Sequence, residues 1–425
     1  MTKPTIFAID FGTSNSLLAA ASADHVFAPA PVDPSATDPT VLRSVMFWNR
    51  LKQGGTFGSA AIQAFVDNGF RGRLIRSIKR HLPSRAFTKT RVGDQFVSLE
   101  DLVGAFLRAM RDRACAHFET DVRRVVLGRP ARFSADDEED LLAQTRLESA
   151  ARKAGFEEIS FCPEPIAAAY DFAEDLISPR NVLIADLGGG TTDYTIVRMT
   201  SKGFGPGDVL GIGGLSVAGD AIDGALVRSV VAPEFGVHAT YRAPFGSNVL
   251  EMPLPLIELL CSPADLTLVD RERVLASLRD IRAGLVSAQD RPKLDRFTTV
   301  IEDGVGFSLY DAVEGAKRRL SDSDSASIGL DYPGAEFHVP ASREGLELVA
   351  QRPIDKMMTC LDAVLAGAKL HESDIEIVCL TGGTSRVPAV EAAFRAKLPQ
   401  ANFRRLSSFH SVVQGLARHA QSVIS

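Results

Sequence analysis

The stretch Ile9-Asp10-Phe11-Gly12-Thr13-Ser14-Asn15-Ser16 returns in altered form as Ala185-Asp186-Leu187-Gly188-Gly189-Gly190-Thr191-Thr192-Asp193. In each copy an apolar run ends in Asp, one apolar residue follows, and Gly and hydroxyl residues lead into a second apolar run. This reads as a β-hairpin whose tight turn presents backbone N–H groups, with Gly allowing positive φ and close approach. Such a turn forms an anion-binding concavity, and an Asp at its edge suits the hydrated cation that accompanies phosphate. One D-x-G turn is commonplace. Two, each heading about half of the chain, predict a duplicated domain that grips one polyphosphate between its halves.

The bulk properties agree with a soluble globular chain. Its 425 residues are 45% apolar and 24% charged with a net charge of −6, enough for two or more domains with sizeable cores. Basic stretches such as Lys79-Arg80-His81 and Lys317-Arg318-Arg319 are short and isolated, so no nucleic-acid partner is expected. The five cysteines, Cys115, Cys162, Cys261, Cys360 and Cys379, form no C-x-x-C pair, which argues against a disulfide framework or a zinc site. No apolar run approaches the roughly 18 residues of a membrane span. Met1 lies too near the first core strand, expected over residues 5–10, to leave room for a signal peptide. A cytoplasmic location without membrane attachment is expected.

Strand-like runs alternate with amphipathic helical stretches, the pattern of an α/β protein. The expected organisation is two lobes. Lobe I covers 1–178, with its core in 1–40 and 118–178, an insert at 41–117, and a C-terminal helix at 405–425 returning to it. Lobe II covers 179–404, with its core in 179–225 and 341–404 and an insert at 226–340.

Four further constellations carry possible chemistry. In Ile75-Arg76-Ser77-Ile78-Lys79-Arg80-His81-Leu82-Pro83, Lys79 could set an ammonium against a transferring phosphate or orient an attacking water, although spacing alone favours a solvated basic helix. In Pro163-Glu164-Pro165, Pro165 fits a first helical turn, which puts Glu164 at a helix N-terminus facing the core turns. Glu164 there is either an anion stabilised by the helix dipole or a partner of metal-bound water. Glu314, Lys317, Arg318 and Ser321 follow at i, i+3, i+4 and i+7 and share one helix face. That face is either an ordinary surface charge ladder or a polar clamp for ribose and purine, with the Lys and Arg stems along the ring. Last, Gly382-Gly383-Thr384-Ser385-Arg386-Val387-Pro388 lies between a strand and a helix, where paired glycines admit a nucleotide and the helix start offers free N–H groups.

Taken in order, these segments resemble the ATPase domain of the seventy-kilodalton heat-shock chaperones (DnaK-like), a branch of the actin and hexokinase superfamily, and within it the short YegD-type members. The matching segments are AIDFGTSNS, SIKRHLPSR, RPARF, PEPIAAAY, ADLGGGTTD, VAGDAID, EGAKRRLS and LTGGTSRVP. The resemblance implies a duplicated actin-like (ribonuclease H-like) fold whose two lobes each carry a small inserted subdomain. It implies ATP or ADP with Mg²⁺, held through water by Asp10 and Asp186, and a catalytic set of Lys79, Glu164, Asp186, Thr191 and Asp10. The phosphates would lie on Gly12, Thr13, Ser14, Asn15, Gly188, Gly189, Gly190, Thr191 and Thr192, with Gly219 and Asp220 nearby. Glu314, Lys317, Arg318 and Ser321 would clamp the adenosine, opposite Gly382, Gly383, Thr384, Ser385 and Arg386.

The departures shape the expected function. The family's Asp near the adenosine falls where Phe409 stands. The segment between Asp223 and Glu314 is about twice the family's usual length. The family's peptide-gripping sandwich finds no counterpart before Ser425, so no autonomous binding of unfolded peptides is expected. The implied function is a slow, chaperone-like nucleotide switch that hydrolyses ATP and serves an unknown protein partner. The rivals are a small-molecule kinase of the same superfamily, which would need a carboxylate base where Lys79 stands, and an actin-like filament or partner-binding protein.

Overall fold

The computed structural model describes residues 2–48, 55–69, 72–92, 95–134, 136–169, 178–200, 206–243, 246–268, 271–405 and 410–424. By its internal contacts the chain forms two compact units. The first comprises 1–63, 77–219 and 354–425; the second comprises 64–76 and 220–353.

The first unit is built on two sheets of the same plan. One holds β1 (Ile6–Phe11), β2 (Asn15–Ala21), β3 (Val26–Phe27), β4 (Arg124–Arg129) and β5 (Glu158–Pro163), in the order β5-β4-β1-β2-β3, with the short strand Leu42–Arg43 also paired to β2. The other holds β6 (Arg180–Leu187), β7 (Thr192–Met199), β8 (Val209–Leu215), β9 (Ile377–Thr381) and β10 (Asn402–Arg405), in the order β8-β7-β6-β9-β10. In both, the first strand pairs antiparallel with its hairpin partner and parallel with the fourth strand. The predicted duplication is thus present in five strands of each sheet. The central strands are buried almost throughout, which is why Ile6-Phe7-Ala8-Ile9 and Val182-Leu183-Ile184-Ala185 read as continuous apolar runs rather than alternating ones.

Five helices of this unit matter for the site. They are α1 (Leu99–Phe118), α2 (Asp137–Lys153), α3 (Glu164–Ala169), α7 (Pro388–Lys397) and α8 (His410–Ile424). Between α3 and α7 in the chain run α4 (Gly219–Leu226), α5 (Gly306–Asp322) and α6 (Arg343–Gly367). Ser98 caps α1 in a reciprocal box with Asp101, and Asp136 caps α2 by accepting from Glu138 N–H and Glu139 N–H, as side chains at these positions do. The final helix begins at His410, not at 405, because Arg405 still belongs to β10. It packs on β1, β2, β4 and α3. Its Val412, Val413, Leu416, Ala417 and Ala420 join one core cluster with side chains of both sheets, among them Ala8, Leu17, Val126, Ile184, Val197 and Cys379.

The second unit has its own core. Phe235 stands edge-on to Phe337 and Phe297, with ring centroids 5.2 and 6.4 Å away. The buried Tyr310 of α5 donates to Leu260 O at 2.9 Å. A hairpin of Ser325–Leu330 and Phe337–Ser342 packs on α5. All five cysteines carry free thiols. Among the described residues no helix is long and apolar enough to cross a membrane.

Gly415 sets the approach of α8 to α3, since a Cβ there would overlap the carbonyl oxygen of Ala167. Alanine favours a helix interior by about 1 kcal/mol over glycine, but an overpacked backbone contact costs about 1–3 kcal/mol. Because the obstacle is a backbone carbonyl the upper end applies, and Gly415→Ala should lower stability by about 2 kcal/mol net, measured by urea unfolding. A neutral or stabilising effect would show that the two helices do not need this close contact.

Candidate functional site

The first hairpin turn follows Asp10, which stands opposite Leu17 in the β1–β2 register. A side chain on Gly12 would overlap the Asn15 carbonyl, so glycine is required for the turn to close. Ser44, unremarked in the sequence, braces it. Its hydroxyl donates to Gly12 O at 2.7 Å and lies 2.9 Å from Ser16 Oγ, and its N–H donates to Ser14 O at 2.8 Å. Asn15 opens β2 beside Arg43.

The second turn repeats the plan with tighter ties. Asp186 faces Asp193 across β6 and β7, and Leu187 faces Thr192. Gly188 N–H donates to Thr191 O at 3.0 Å, Thr192 Oγ1 donates to Val217 O at 2.8 Å, and Gly219 N–H donates to Gly188 O at 3.3 Å. Gly189 lies between the tied residues. The two turns abut, because a Cβ on Gly190 would sit 3.2 Å from the Thr13 side chain.

The glycine-rich turn after β9 packs onto the second hairpin. Gly382 has φ of 80°, the left-handed region, and a Cβ on it would overlap the Leu187 carbonyl. Thr384 Oγ1 donates to Gly188 O at 2.6 Å, and Ser385 Oγ donates to Gly382 O at 2.7 Å. The short helical turn Gly383–Arg386 then hands over to Pro388, which opens α7.

Lys79 lies on a single 3-10 turn, Ile78–His81, and not on a solvated basic helix. Its side chain is buried, and Nζ donates to the buried Glu164 Oε1 at 2.7 Å. Glu164 heads α3 directly after β5, as Pro165 predicted. Gly128 on β4 leaves it room, since a Cβ there would stand 3.1 Å from Glu164 Cγ.

One ammonium thus faces four carboxylates. Burial, then repulsion from Glu164 and Asp186, hold the Asp10 carboxyl well above its usual range, against the attraction of Lys79. Asp186 is pushed up to about 7 by burial and by Glu164. Asp193 is raised by burial, Glu164 and Asp186. For Lys79, burial works to lower the ammonium's pKa, but Glu164 and Asp10 outweigh it and the net direction is up, so it stays protonated. Asp10 and Asp186 keep part of their surface open to solvent, although protein surrounds them on most sides.

Asp193 is the functional candidate that sequence reasoning missed. It is 1% exposed, accepts from Arg132 N–H at 3.4 Å, and leaves Oδ2 buried without a hydrogen-bond partner. Its counterpart across the first hairpin is Leu17, so comparing the two repeats hid it. An excess of buried carboxylate charge with an unsatisfied oxygen is chemistry that a divalent cation would offset. Among the described residues no three His, Cys, Asp or Glu side chains are arranged to ligate an ion directly. The set suits a cation that keeps its waters, the habit of Mg²⁺.

In the second unit, Glu314, Lys317, Arg318 and Ser321 do share one face of α5, with differing roles. Lys317 turns into the buried Asp223, with Nζ 2.9 Å from its carboxylate. Burial pushes that carboxyl up to about 6 despite the ammonium. Glu314 lies 3.8 Å from Arg76 and 3.7 Å from the exposed Arg318, and Ser321 Oγ donates back to Lys317 O at 3.1 Å. Asp220, in the first turn of α4, has Oδ2 buried without a hydrogen-bond partner. Phe409, at the adenosine-side departure, and Tyr170 lie outside the described residues.

Comparison with known proteins follows the same lines. The family model for Hsp70 protein matches residues 54–236 and 304–421, leaving 237–303 and the first hairpin outside the match. A chaperone protein HscA homolog from Verminephrobacter eiseniae (strain EF01-2) is 26% identical over 437 residues, an alignment covering 98% of this chain and 58% of that protein. The chain therefore spans less than two thirds of this relative's length. The two sheets of one strand order are the duplicated actin-like ATPase fold. By sequence and fold together, the chain belongs to the Hsp70 protein family.

Proposed function

We propose that this chain is a cytoplasmic, Mg²⁺-dependent ATPase that hydrolyses ATP slowly and serves as a chaperone-like nucleotide switch. The observation that carries the reading is the buried Lys79–Glu164 pair set among Asp10, Asp186 and Asp193, beside two abutting glycine turns. The reading takes the two sheets as the cores of two lobes, 1–178 with the C-terminal helix and 179–404.

The turns at 12–15 and 188–191 would bind the phosphates through backbone N–H groups and hydroxyls, and the turn at 382–386 would contact the adenosine. Asp10 and Asp186, supported by Asp193, would hold Mg²⁺ through its waters; the ion supplies charge neutralisation along the polyphosphate. Lys79 stays cationic because carboxylates surround it, so it acts as a fixed positive charge against the transferring phosphoryl group and not as a base. With Oε1 engaged by Lys79, Glu164 would present Oε2 to the attacking water and align it. On this reading an ammonium, where a kinase needs a carboxylate on its acceptor hydroxyl, favours water as the acceptor. The segment 237–303, which the family model does not match, is where we place contact with a protein partner.

Calorimetry with ATP, ADP and GTP in Mg²⁺ tests the first step. Adenine nucleotides should bind more tightly than GTP, and no adenine-nucleotide heat at millimolar ligand would end the reading. Lys79→Ala separates binding from chemistry. Its turnover should fall by roughly 10²-fold with little change in ATP affinity, whereas wild-type turnover would return Lys79 to a structural role. Asp186→Ala should instead weaken the Mg²⁺-dependent part of ATP binding and also stop hydrolysis. Unchanged Mg²⁺ dependence in that variant would remove Asp186 from the cation site.

A further inference from the structure

The turn that carries Lys79 is a single helical turn, one residue beyond the strand Arg73–Arg76, and it sets the ammonium 2.7 Å from Glu164 Oε1. On its upstream side Ser77 takes φ of 55° and ψ of 30°, a left-handed conformation uncommon for a residue with a Cβ. Ser77 is buried, and its Oγ has no hydrogen-bond partner. Nothing in its own side chain pins the turn.

The downstream side is pinned by one distant residue. Arg146 of α2 is 9% exposed. Its Nη1 donates to Ser84 O at 2.8 Å, to Leu82 O at 3.0 Å and, more weakly, to His81 O at 3.4 Å, and its Nη2 donates to Phe87 O at 3.1 Å. Its Nε lies 3.3 Å from the Glu100 carboxylate at the start of α1. Leu82 N–H in turn donates to Lys79 O at 3.1 Å. The guanidinium therefore reaches the backbone of Lys79 through a single intervening peptide.

We propose that Arg146 is the positioning residue for Lys79: it gathers the carbonyls of 81–87 onto the rigid α1–α2 pair and so fixes the ammonium against Glu164. This rests on the role given to Lys79 above. The fork geometry is the essential feature. A planar guanidinium with five donors can serve several carbonyls at once while keeping its charge neutralised by Glu100. A lysine offers one compact ammonium on a flexible stem, so it can keep the ion pair with Glu100 but not span Leu82 O to Phe87 O. The platform itself is firm: Gly104 lets α1 approach the Ala150 carbonyl of α2, where a Cβ would stand at 3.0 Å.

The test is a double-variant cycle on the full chain, with Arg146→Lys, Lys79→Ala and the two combined. Arg146→Met supplies the charge-free variant if it folds, and Arg146→Lys carries the test otherwise. Arg146→Lys should lower kcat by roughly tenfold while the KM for MgATP and the ATP affinity measured by calorimetry change by less than about twofold. Combined with Lys79→Ala it should add no further loss, because a residue acting through Lys79 has nothing left to position. Amide exchange at Leu82 should also quicken in Arg146→Lys. Wild-type kcat in Arg146→Lys, or losses that multiply in full with those of Lys79→Ala, would overturn the assignment of Arg146 alone. Wild-type turnover in Lys79→Ala would overturn the role of Lys79 and this assignment together.

Discussion

One ammonium buried among carboxylates is the interaction on which the site depends. Lys79 alone cannot neutralise Glu164, Asp10, Asp186 and Asp193; the Asp10 and Asp193 carboxyls rise well above the ordinary range and that of Asp186 to about 7. Burial of like charges is unfavourable unless something positive joins them. The excess of buried negative charge is what a bound cation would offset. Folding brings the charges together because β1 and β6 end at the same kind of turn, and the turns abut at Thr13 and Gly190.

Close backbone approach makes that concentration possible. Gly12 and Gly382 stand where a side chain would overlap a carbonyl, and Gly128 and Gly214 leave space for the Glu164 and Asp193 side chains. Each glycine does a different piece of the same task, admitting either a backbone carbonyl or a carboxylate. Gly415 serves the same end at a distance: it lets α8 press on α3, the helix that begins at Glu164. The core cluster beneath, shared by side chains of both sheets and α8, gives the charged groups a rigid base against which small displacements are resisted.

The sites differ in how far they were readable. Asp10, Asp186 and the glycines announced themselves through repetition, since local turn chemistry demands those residue types in that order. Glu164 was placed by Pro165, whose ring suits only the first helical turn. Lys79 was ambiguous, because SIKRHLPSR has the composition of a solvated helix and nothing nearby in the sequence says that Glu164 lies 85 residues on to receive it. The four residues of α5 showed their common face but not their partners: Lys317 finds Asp223 and Glu314 finds Arg76, both far away in the chain.

By itself the sequence determined the duplicated α/β core, the two glycine-rich hairpin turns, and the helix starts at Glu164 and Pro388. These follow from period, turn chemistry and spacing, which act over a few residues. Only the tertiary structure decided that Asp193 joins the carboxylate cluster, that Ser44 braces the first turn, and that Arg146 gathers the strand of chain after Lys79. The reason is physical: charge balance and the satisfaction of buried polar groups are properties of what packs together. Asp10 and Asp186 look alike in the sequence until the strands are paired, when one faces Leu17 and the other Asp193.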